Sequence, residues 1–459
     1  MTASSVPAQL TSACGGVRAA VKADAVGGTV PSYVAAPTST REAGAVLRAA
    51  AGLGLAVVPR GGGTRLDWGT PPRRCDLVVE TRLMDTVLEH AVGDLVVRVQ
   101  AGVRLDGLAE VLGRAGQRLA LDPPAGGGTV GGLIATGVAG PLRLRFGSPR
   151  DLLIGVTMVR ADGTVARAGG KVVKNVAGYD IGKLLAGSYG TLGLITEATF
   201  RLHPRPPAAA YVSLACPDAE VAAAALLTAA GSALAPAAAE LDWPGQDAPV
   251  SVSVLLEGDV EGVAERAARM CDLLAGEAFS RVLPGPRARG DPPQWWGRGA
   301  AATGDGTAVR IAFWAGQLTR VLRAIRAAGT QAGLDPVVGG SAAAGVLHAA
   351  LPADAPATAV AQFVTGLRAA LDDDLPASGA EASPGVQAAA GAPAGAGAEE
   401  AGRSATGPRG SVVVLHAPPA VREAVDLWGP VPGVALMRAI KEQFDPEHRM
   451  APGRFAGGI

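Results

Sequence analysis

The strongest constraint in this sequence is the span 169–196, GGKVVKNVAGYDIGKLLAGSYGTLGLIT, where glycine recurs at 169, 170, 178, 182, 187, 190 and 193. Each glycine inside a helix costs roughly 1 kcal/mol relative to alanine, so the span cannot be one continuous core helix. Its lysines at 171, 174 and 183, with Asn175, Tyr179 and Asp180, are too many polar groups for packing alone. A short helix is predicted over 179–186, a loop over 187–193 and a strand over 194–202. The span reads as one wall of a cofactor site, with Gly190, Gly193 and Ile195 as its backbone contacts.

Two further glycine loops lie upstream. A strand over 55–58 runs into Pro59, Arg60, Gly61, Gly62, Gly63 and Thr64. Three positions there lack side chains, so backbone N–H groups can converge on an anion at close range. Residues 122–140, DPPAGGGTVGGLIATGVAG, contain G-x-G-x-x-G at Gly126, Gly128 and Gly131, with Asp151 20 residues beyond. That spacing suggests a dinucleotide fingerprint, but Pro123 and Pro124 stand where a parallel strand should donate to its ladder. Thr136, Gly137, Val138 and Gly140 also break up residues 134–139, so no strong helix is expected to open from this loop.

Elsewhere the pattern alternates strands and helices. Thr38, Ser39 and Thr40 offer N-caps for a helix closed by Gly52 and Gly54. Strands are expected over 76–80, 95–99 and 152–160, with a helix over 105–115 and a hairpin turn over 161–164. From about 208 alanine-rich helices alternate with short strands: strands over 212–215, 250–257 and 309–314, helices over 219–229, 260–275 and 318–328. This resembles a ferredoxin-like α+β layer. Residues 376–410 are almost wholly Ala, Gly, Pro, Ser and Glu and read as a disordered insertion. A strand over 411–415 and a helix over 435–443 precede the tail FDPEHRMAPGRF.

Forty-one basic and forty-one acidic residues cancel, which removes the electrostatic case for nucleic acid as a partner. The cysteines at 14, 75, 216 and 271 lack the close spacing of zinc or iron–sulfur ligands and suit free thiols in a reducing compartment. No apolar run reaches the roughly 18 residues of a membrane helix, and the N-terminus shows no secretory pattern. A cytoplasmic protein is expected, with any membrane association made through partners.

Taken together, PRGGGT at 59–64, GGGTVGGLIA at 126–135 and the span 169–196 resemble the vanillyl-alcohol oxidase/PCMH flavoprotein family in both order and separation. Within it, GGKVVKNVAGYD and the tail elements VVLHAP, WGP, LMRAIKEQFDP and PGRF are similar to the FAD-binding subunits of bacterial glycolate oxidases. Ala451 stands where those subunits have asparagine. The resemblance implies a PCMH-type two-subdomain FAD-binding domain over 31–207, after an N-terminal segment 1–30. It implies an α+β cap over 208–375, the insertion over 376–410, and a C-terminal segment 411–459 that completes the cap and packs back on the FAD domain.

FAD would then lie between the loops. The resemblance assigns its contacts to Pro59, Arg60, Gly61, Gly62, Gly63 and Thr64 from the first loop and to Pro124, Gly127, Gly128, Thr129, Val130, Gly131 and Gly132 from the second. Thr136, Ser148, Asp151, Gly190, Gly193 and Ile195 complete the set, with Asp151 orienting backbone N–H groups. Many relatives attach flavin covalently through a histidine beside the first loop; Thr64 stands there, so noncovalent FAD is expected. Relatives that oxidise 2-hydroxy acids carry a metal-binding run G-H-x-G-D-G-N-x-H. The corresponding residues 340–348 keep His348 but have Ser341 and Ala344 in place of the first histidine and the aspartate, so no metal site is expected and no catalytic residue is assigned.

The resulting expectation is a noncovalent FAD subunit of a glycolate oxidase-type complex that oxidises a small 2-hydroxy acid. Electrons would pass to a catalytic flavoprotein subunit and an iron–sulfur subunit. A self-sufficient FAD-dependent alcohol or hydroxy-acid oxidoreductase, and a structural subunit with degenerate loops, are the competing readings.

Overall fold

In the computed structural model, which describes residues 5–123, 127–171, 180–276, 285–299, 305–372 and 410–459, the first layer opens on a βαβ unit. Strand Tyr33–Ala35, helix Thr40–Gly52 and strand Val57–Arg60 follow one another, and both strands pair in parallel with Leu77–Glu80. Of the three candidate caps Ser39 starts the helix, its side chain accepting from the Glu42 N–H. Ala43, Val46, Leu47 and Ala50 form the stripe buried against the sheet. Leu77–Glu80, an interior strand, is buried at every position, as expected where both faces of a sheet are covered.

A five-stranded antiparallel sheet forms the second layer, in the order Val87–Ala91, Val96–Gln100, Leu194–Arg201, Leu153–Val159, Val165–Gly169. Its last two strands are the hairpin expected around 161–164, with the Gly163 N–H donating to the Arg160 carbonyl. Helix Leu105–Arg114 buries Leu108 and Leu112 in this layer's core. The short helix expected over 179–186 is Ile181–Leu185; residues 172–179 of the opening span lie outside the described residues.

One expectation is overturned here. The second glycine loop does open a helix, Val130–Thr136, capped by Thr129 and ended by Gly137 at φ 65°. Val130, Leu133 and Ile134 are buried, and burying such side chains is worth about 1.5–3 kcal/mol each, which outweighs roughly 1 kcal/mol per glycine.

Beyond residue 207 an eight-stranded antiparallel sheet runs Arg287–Arg289, Ala208–Cys216, Val250–Gly258, Ala238–Trp243, Val337–Gly340, Val346–Leu351, Thr307–Phe313, Gly410–His416. Counting strands within each half from its outer edge, the order is 4-1-3-2 on both sides. The sheet is therefore two ferredoxin-like βαββαβ units joined along their second strands, Ala238–Trp243 against Val337–Gly340. Helices Ala219–Ala230 and Val260–Ala275, capped by Asp218 and Asp259, belong to the first unit, and Leu318–Ala332 and Ala357–Asp372 to the second. Most of the low-complexity run, residues 373–409, lies outside the described residues.

The two faces of this sheet differ, following the period-2 rule for strands. Leu241, Trp243, Val309, Ile311, Leu347 and Ala349 pack into the core. The alternate positions Glu240, Asp242, Arg310 and His348 share the other face, which meets the N-terminal layers. Leu142 packs there with Ala237, Ala238 and Leu255, and Arg118 grips Glu257 through two hydrogen bonds of 2.7 and 2.6 Å. Finally the tail returns to the first layer. The Val57 N–H donates to the Arg449 carbonyl at 2.8 Å and the Ala451 N–H to the Val57 carbonyl at 2.7 Å, so the tail extends the exposed edge of Val57–Arg60.

Candidate functional site: a glycine-walled cleft

The first glycine loop leaves the carboxyl end of a parallel strand, the usual place for a ligand in such sheets. It faces the start of helix Val130–Thr136 and the turn into strand Leu194–Arg201. Between them lies a cleft of about 770 Å³, its open mouth included. Pro59, Arg60, Gly61, Gly62, Gly63 and Thr64 line one side, and Thr129, Gly131, Gly132, Thr136, Gly190, Gly193 and Ile195 the other.

A long anionic ligand suits these walls. A Cβ on Gly61 would overlap the Thr129 hydroxyl, so only glycine lets the two loops approach. Among the described residues, the backbone N–H groups of Gly61, Gly62, Gly63 and Thr64 have no hydrogen-bond partner. Four consecutive free donors are what a diphosphate requires.

The cationic contribution comes from residues not anticipated in the sequence. Arg60 lines the cleft while paired with Asp24 at 2.8 Å and with Glu80, so its charge is shared with two carboxylates. Arg65 has no carboxylate of its own among the described residues: it lines the cleft, it stacks on Trp68 at 5.6 Å, and its guanidinium would stand 3.3 Å from a Cβ on Gly128. From the tail comes Arg454, 4 % exposed. One nitrogen donates to the Leu66 and Trp68 carbonyls at 2.8 and 2.7 Å, while Nε and Nη1 have no partner among the described residues. Burial lowers its pKa to about 10, so it stays charged near neutrality, with two donors available at the cleft.

The remaining sequence candidates fall into three groups. Gly127 and Gly128 are not among the residues that line the cleft, and Val130 packs within the core. Ser148 and Asp151 close a capping box on helix Pro149–Leu152, the Asp151 carboxylate accepting from the Ser148 N–H at 2.7 Å and hydroxyl at 2.9 Å. Asp151 therefore orients a backbone N–H but does not line the cleft. Pro124 lies outside the described residues.

Tyr189 is held at φ 54°, a left-handed conformation costing roughly 1–3 kcal/mol, by its N–H to the Ala135 carbonyl and by the rings of Trp428 and Phe455. It lines the cleft and also a second cavity, which it shares with Thr136, Ser148, Arg310, Ser411, Val413 and Trp428. The two chambers thus meet at Thr136 and Tyr189. No group of three or more His, Cys, Asp or Glu able to hold a metal occurs among the described residues.

Two family models match parts of the chain that carry the cleft. Residues 31–169 match the family model described as FAD binding domain, and residues 427–455 that of FAD linked oxidases, C-terminal domain.

Residues 31–169 are an FAD-binding domain.

The first glycine loop, Arg65 and the second glycine loop all lie inside that match, and Trp428 and Arg454 inside the other. Glycolate oxidase subunit GlcD of Bacillus subtilis is 37 % identical over 179 residues, 39 % of this chain and 38 % of that protein. D-lactate dehydrogenase of Archaeoglobus fulgidus is 39 % identical over 172 residues, 38 % of this chain and 39 % of that protein. Glycolate oxidase subunit GlcE of Escherichia coli is 39 % identical over 132 residues, 28 % of this chain and 38 % of that protein. The chain thus spans about two fifths of the length of the curated relatives it matches. Among solved structures, alkyldihydroxyacetonephosphate synthase shares the fold with a TM-score of 0.63 at 17 % identity, covering 93 % of this chain and 78 % of that one. No helix among the described residues is long and apolar enough to cross a membrane.

Proposed function

We propose that the chain is an FAD-dependent oxidoreductase acting on a small 2-hydroxy acid, and that it works as a subunit of a glycolate oxidase-type complex, passing electrons to a partner. The observation that carries the reading is the junction at Tyr189, which lines both the glycine-walled cleft and a chamber that also bears Arg310. The names of the curated relatives, a glycolate oxidase subunit and a D-lactate dehydrogenase, supply the substrate class.

Each part has a job in this scheme. The free N–H groups of residues 61–64, with Arg65, hold the diphosphate of FAD. Arg454, with two free donors in the lining of the cleft, would help hold the cofactor. FAD, when bound, supplies the acceptor for a hydride from the substrate carbon. No histidine or cysteine lines the cleft among the described residues, which favours noncovalent FAD. The need for a partner follows from the cysteines at 14, 75, 216 and 271, which cannot ligate an iron–sulfur cluster for onward transfer.

The test uses purified protein. Visible flavin absorbance that passes into the filtrate after denaturation shows noncovalent FAD, and anaerobic bleaching by glycolate, D-lactate or 2-hydroxyglutarate shows the activity. A protein that stays colourless with added FAD would overturn the reading. Bleaching that turns over with oxygen and no partner would favour a self-sufficient oxidase instead.

A further inference from the structure

Residues 61–76 join strands Val57–Arg60 and Leu77–Glu80 without a helix or strand of their own. The bonds that the Leu66 and Trp68 N–H groups make within this loop are both 3.3 Å, just beyond the usual range. Its firmer contacts are with the far end of the chain. The Gly69 N–H donates to the Leu415 carbonyl at 3.0 Å, the Trp428 indole to the Thr70 hydroxyl at 3.0 Å, and Arg454 to the Leu66 and Trp68 carbonyls. Gly69 sits at φ 76°, and a Cβ there would come within 2.9 Å of the Arg454 carbonyl, so glycine lets the tail approach. Trp68, on which Arg65 stacks, packs against the hydrophobic core of the cap.

One acid on this loop stands close enough to compete for the cations of the cleft. Asp67 acts on the charges of both Arg65 and Arg454. Its carboxylate is turned instead to the His416 imidazole, Oδ2 against Nδ1, at the end of strand Gly410–His416. Burial opposes the charge on Asp67, but His416 and Arg422 outweigh it and hold the carboxyl below its ordinary value. Asp67 is therefore an anion near neutrality, and the partner it takes decides how much positive charge the cleft keeps. Arg422 already donates to the Ala417 carbonyl at 2.7 Å. Without His416, the cations left for Asp67 to turn to are chiefly those that line the cleft.

We propose that His416 is a positioning residue for FAD: by holding the Asp67 carboxylate it keeps Arg65 and Arg454 free for the cofactor. The inference rests on the reading of Arg65 as a diphosphate contact, and it adds to that site a cap residue that does not itself line the cleft. The last strand of the cap is thereby part of the FAD site, through a charge it withdraws rather than one it supplies.

The experiment titrates FAD into the flavin-stripped protein and follows the quenching of flavin fluorescence, with melting curves of the apo protein to show that each variant folds. Arg65→Gln should weaken FAD binding. His416→Leu should weaken it about tenfold, the scale of one lost charge-assisted contact. The deciding variant is His416→Leu with Asp67→Asn, which removes the released charge as well and should bind FAD within about threefold of wild type. A contact that serves only to hold the loop would leave this double variant at least as weak as His416→Leu, and that result would overturn the proposal. His416→Ala carries the same expectations and takes the place of the leucine variant if that one does not fold. If Arg65→Gln leaves FAD binding unchanged while His416→Leu weakens it, the reading of Arg65 falls and takes this proposal with it. If Arg65→Gln weakens binding and His416→Leu does not, Arg65 keeps its place and the role of His416 alone falls.

Discussion

The Lys441 ammonium meets the Asp445 carboxylate at 2.7 Å with no exposed surface on either side chain. Its other two bonds go to the Thr191 carbonyl at 2.7 Å and the Met450 carbonyl at 2.9 Å. One buried cation therefore ties helix Val434–Phe444 to the turn that lines the glycine-walled cleft and to the tail that delivers Arg454. Removing one partner of a buried pair strands the other, so Lys441→Met should cost about 3–5 kcal/mol in urea unfolding, and Lys441→Met with Asp445→Leu distinctly less. Equal losses in the two variants would show that Asp445 is not the charge being stranded.

Arg60 and Arg65 lie five residues apart and should fail differently. Arg65→Gln should weaken FAD binding and flatten its dependence on salt, because a phosphate contact is lost. Arg60→Gln should chiefly lower thermal stability, since Asp24 and Glu80 lose their common cation. FAD titrations at low and high salt, beside melting curves, separate the two; a salt dependence altered only by Arg60→Gln would reverse the assignment.

Gly61→Ala places a methyl group against the Thr129 hydroxyl and forces the two walls of the cleft apart. The expected result is a large loss of FAD affinity with a smaller loss of apo stability, measured by fluorescence quenching and by melting without FAD. In wild type, FAD at a hundred times its Kd should add about 2.7 kcal/mol of stability, and the variant should lose most of that increment.

Stability should fall with rising pH across the neutral range. Asp122 and Glu240 have folded pKa values raised to about 7 and about 8, chiefly by burial. An acid with a raised folded pKa binds more protons folded than unfolded, so its stabilisation is complete below the unfolded pKa and is lost as pH climbs to the folded one. His348, lowered from 6.5 to about 3 by burial, works in the opposite sense, but only between those values. Above about pH 6.5 the two carboxyls therefore set this cluster's slope, and Glu240→Gln should flatten the melting temperature between about pH 6.5 and 8. An unchanged slope in that variant would contradict it.

Ala451 sits at φ 43°, fully buried, where the resembling subunits have asparagine, a residue that tolerates this conformation. Ala451→Gly should raise the unfolding free energy by up to about 1 kcal/mol. A drop in stability would mean that the methyl group packs better than the backbone is strained.

What the sequence disclosed followed from local physics. Glycine clusters mark the close approaches, Ser39 lies at a helix start, and period-2 and period-3.6 patterns separate strands from helices in the second half. What it concealed depends on chain closure. Arg454 lies about 390 positions from the loop it joins, and nothing in the composition of the tail shows that its backbone adds to strand Val57–Arg60. Helix Val130–Thr136 was obscured because its stability comes from burial of Val130, Leu133 and Ile134 rather than from propensity. The pairing of Arg60 with Asp24 was equally hidden, because Asp24 lies outside every motif.

The strand order of the cap also governs where the chain can grow. Because the two ferredoxin-like units meet along their second strands, the fourth strand of each, Arg287–Arg289 and Gly410–His416, lies at an outer margin of the sheet. In both units the chain between the second helix and that strand carries extra residues, 276–286 in one and 373–409 in the other. Closing a longer loop costs only about 0.6 kcal/mol per doubling, and a margin strand has one neighbour to keep in register. Length can thus be added to the sequence next to the two outer strands while Arg310, His348 and Glu240, on interior strands, keep their register.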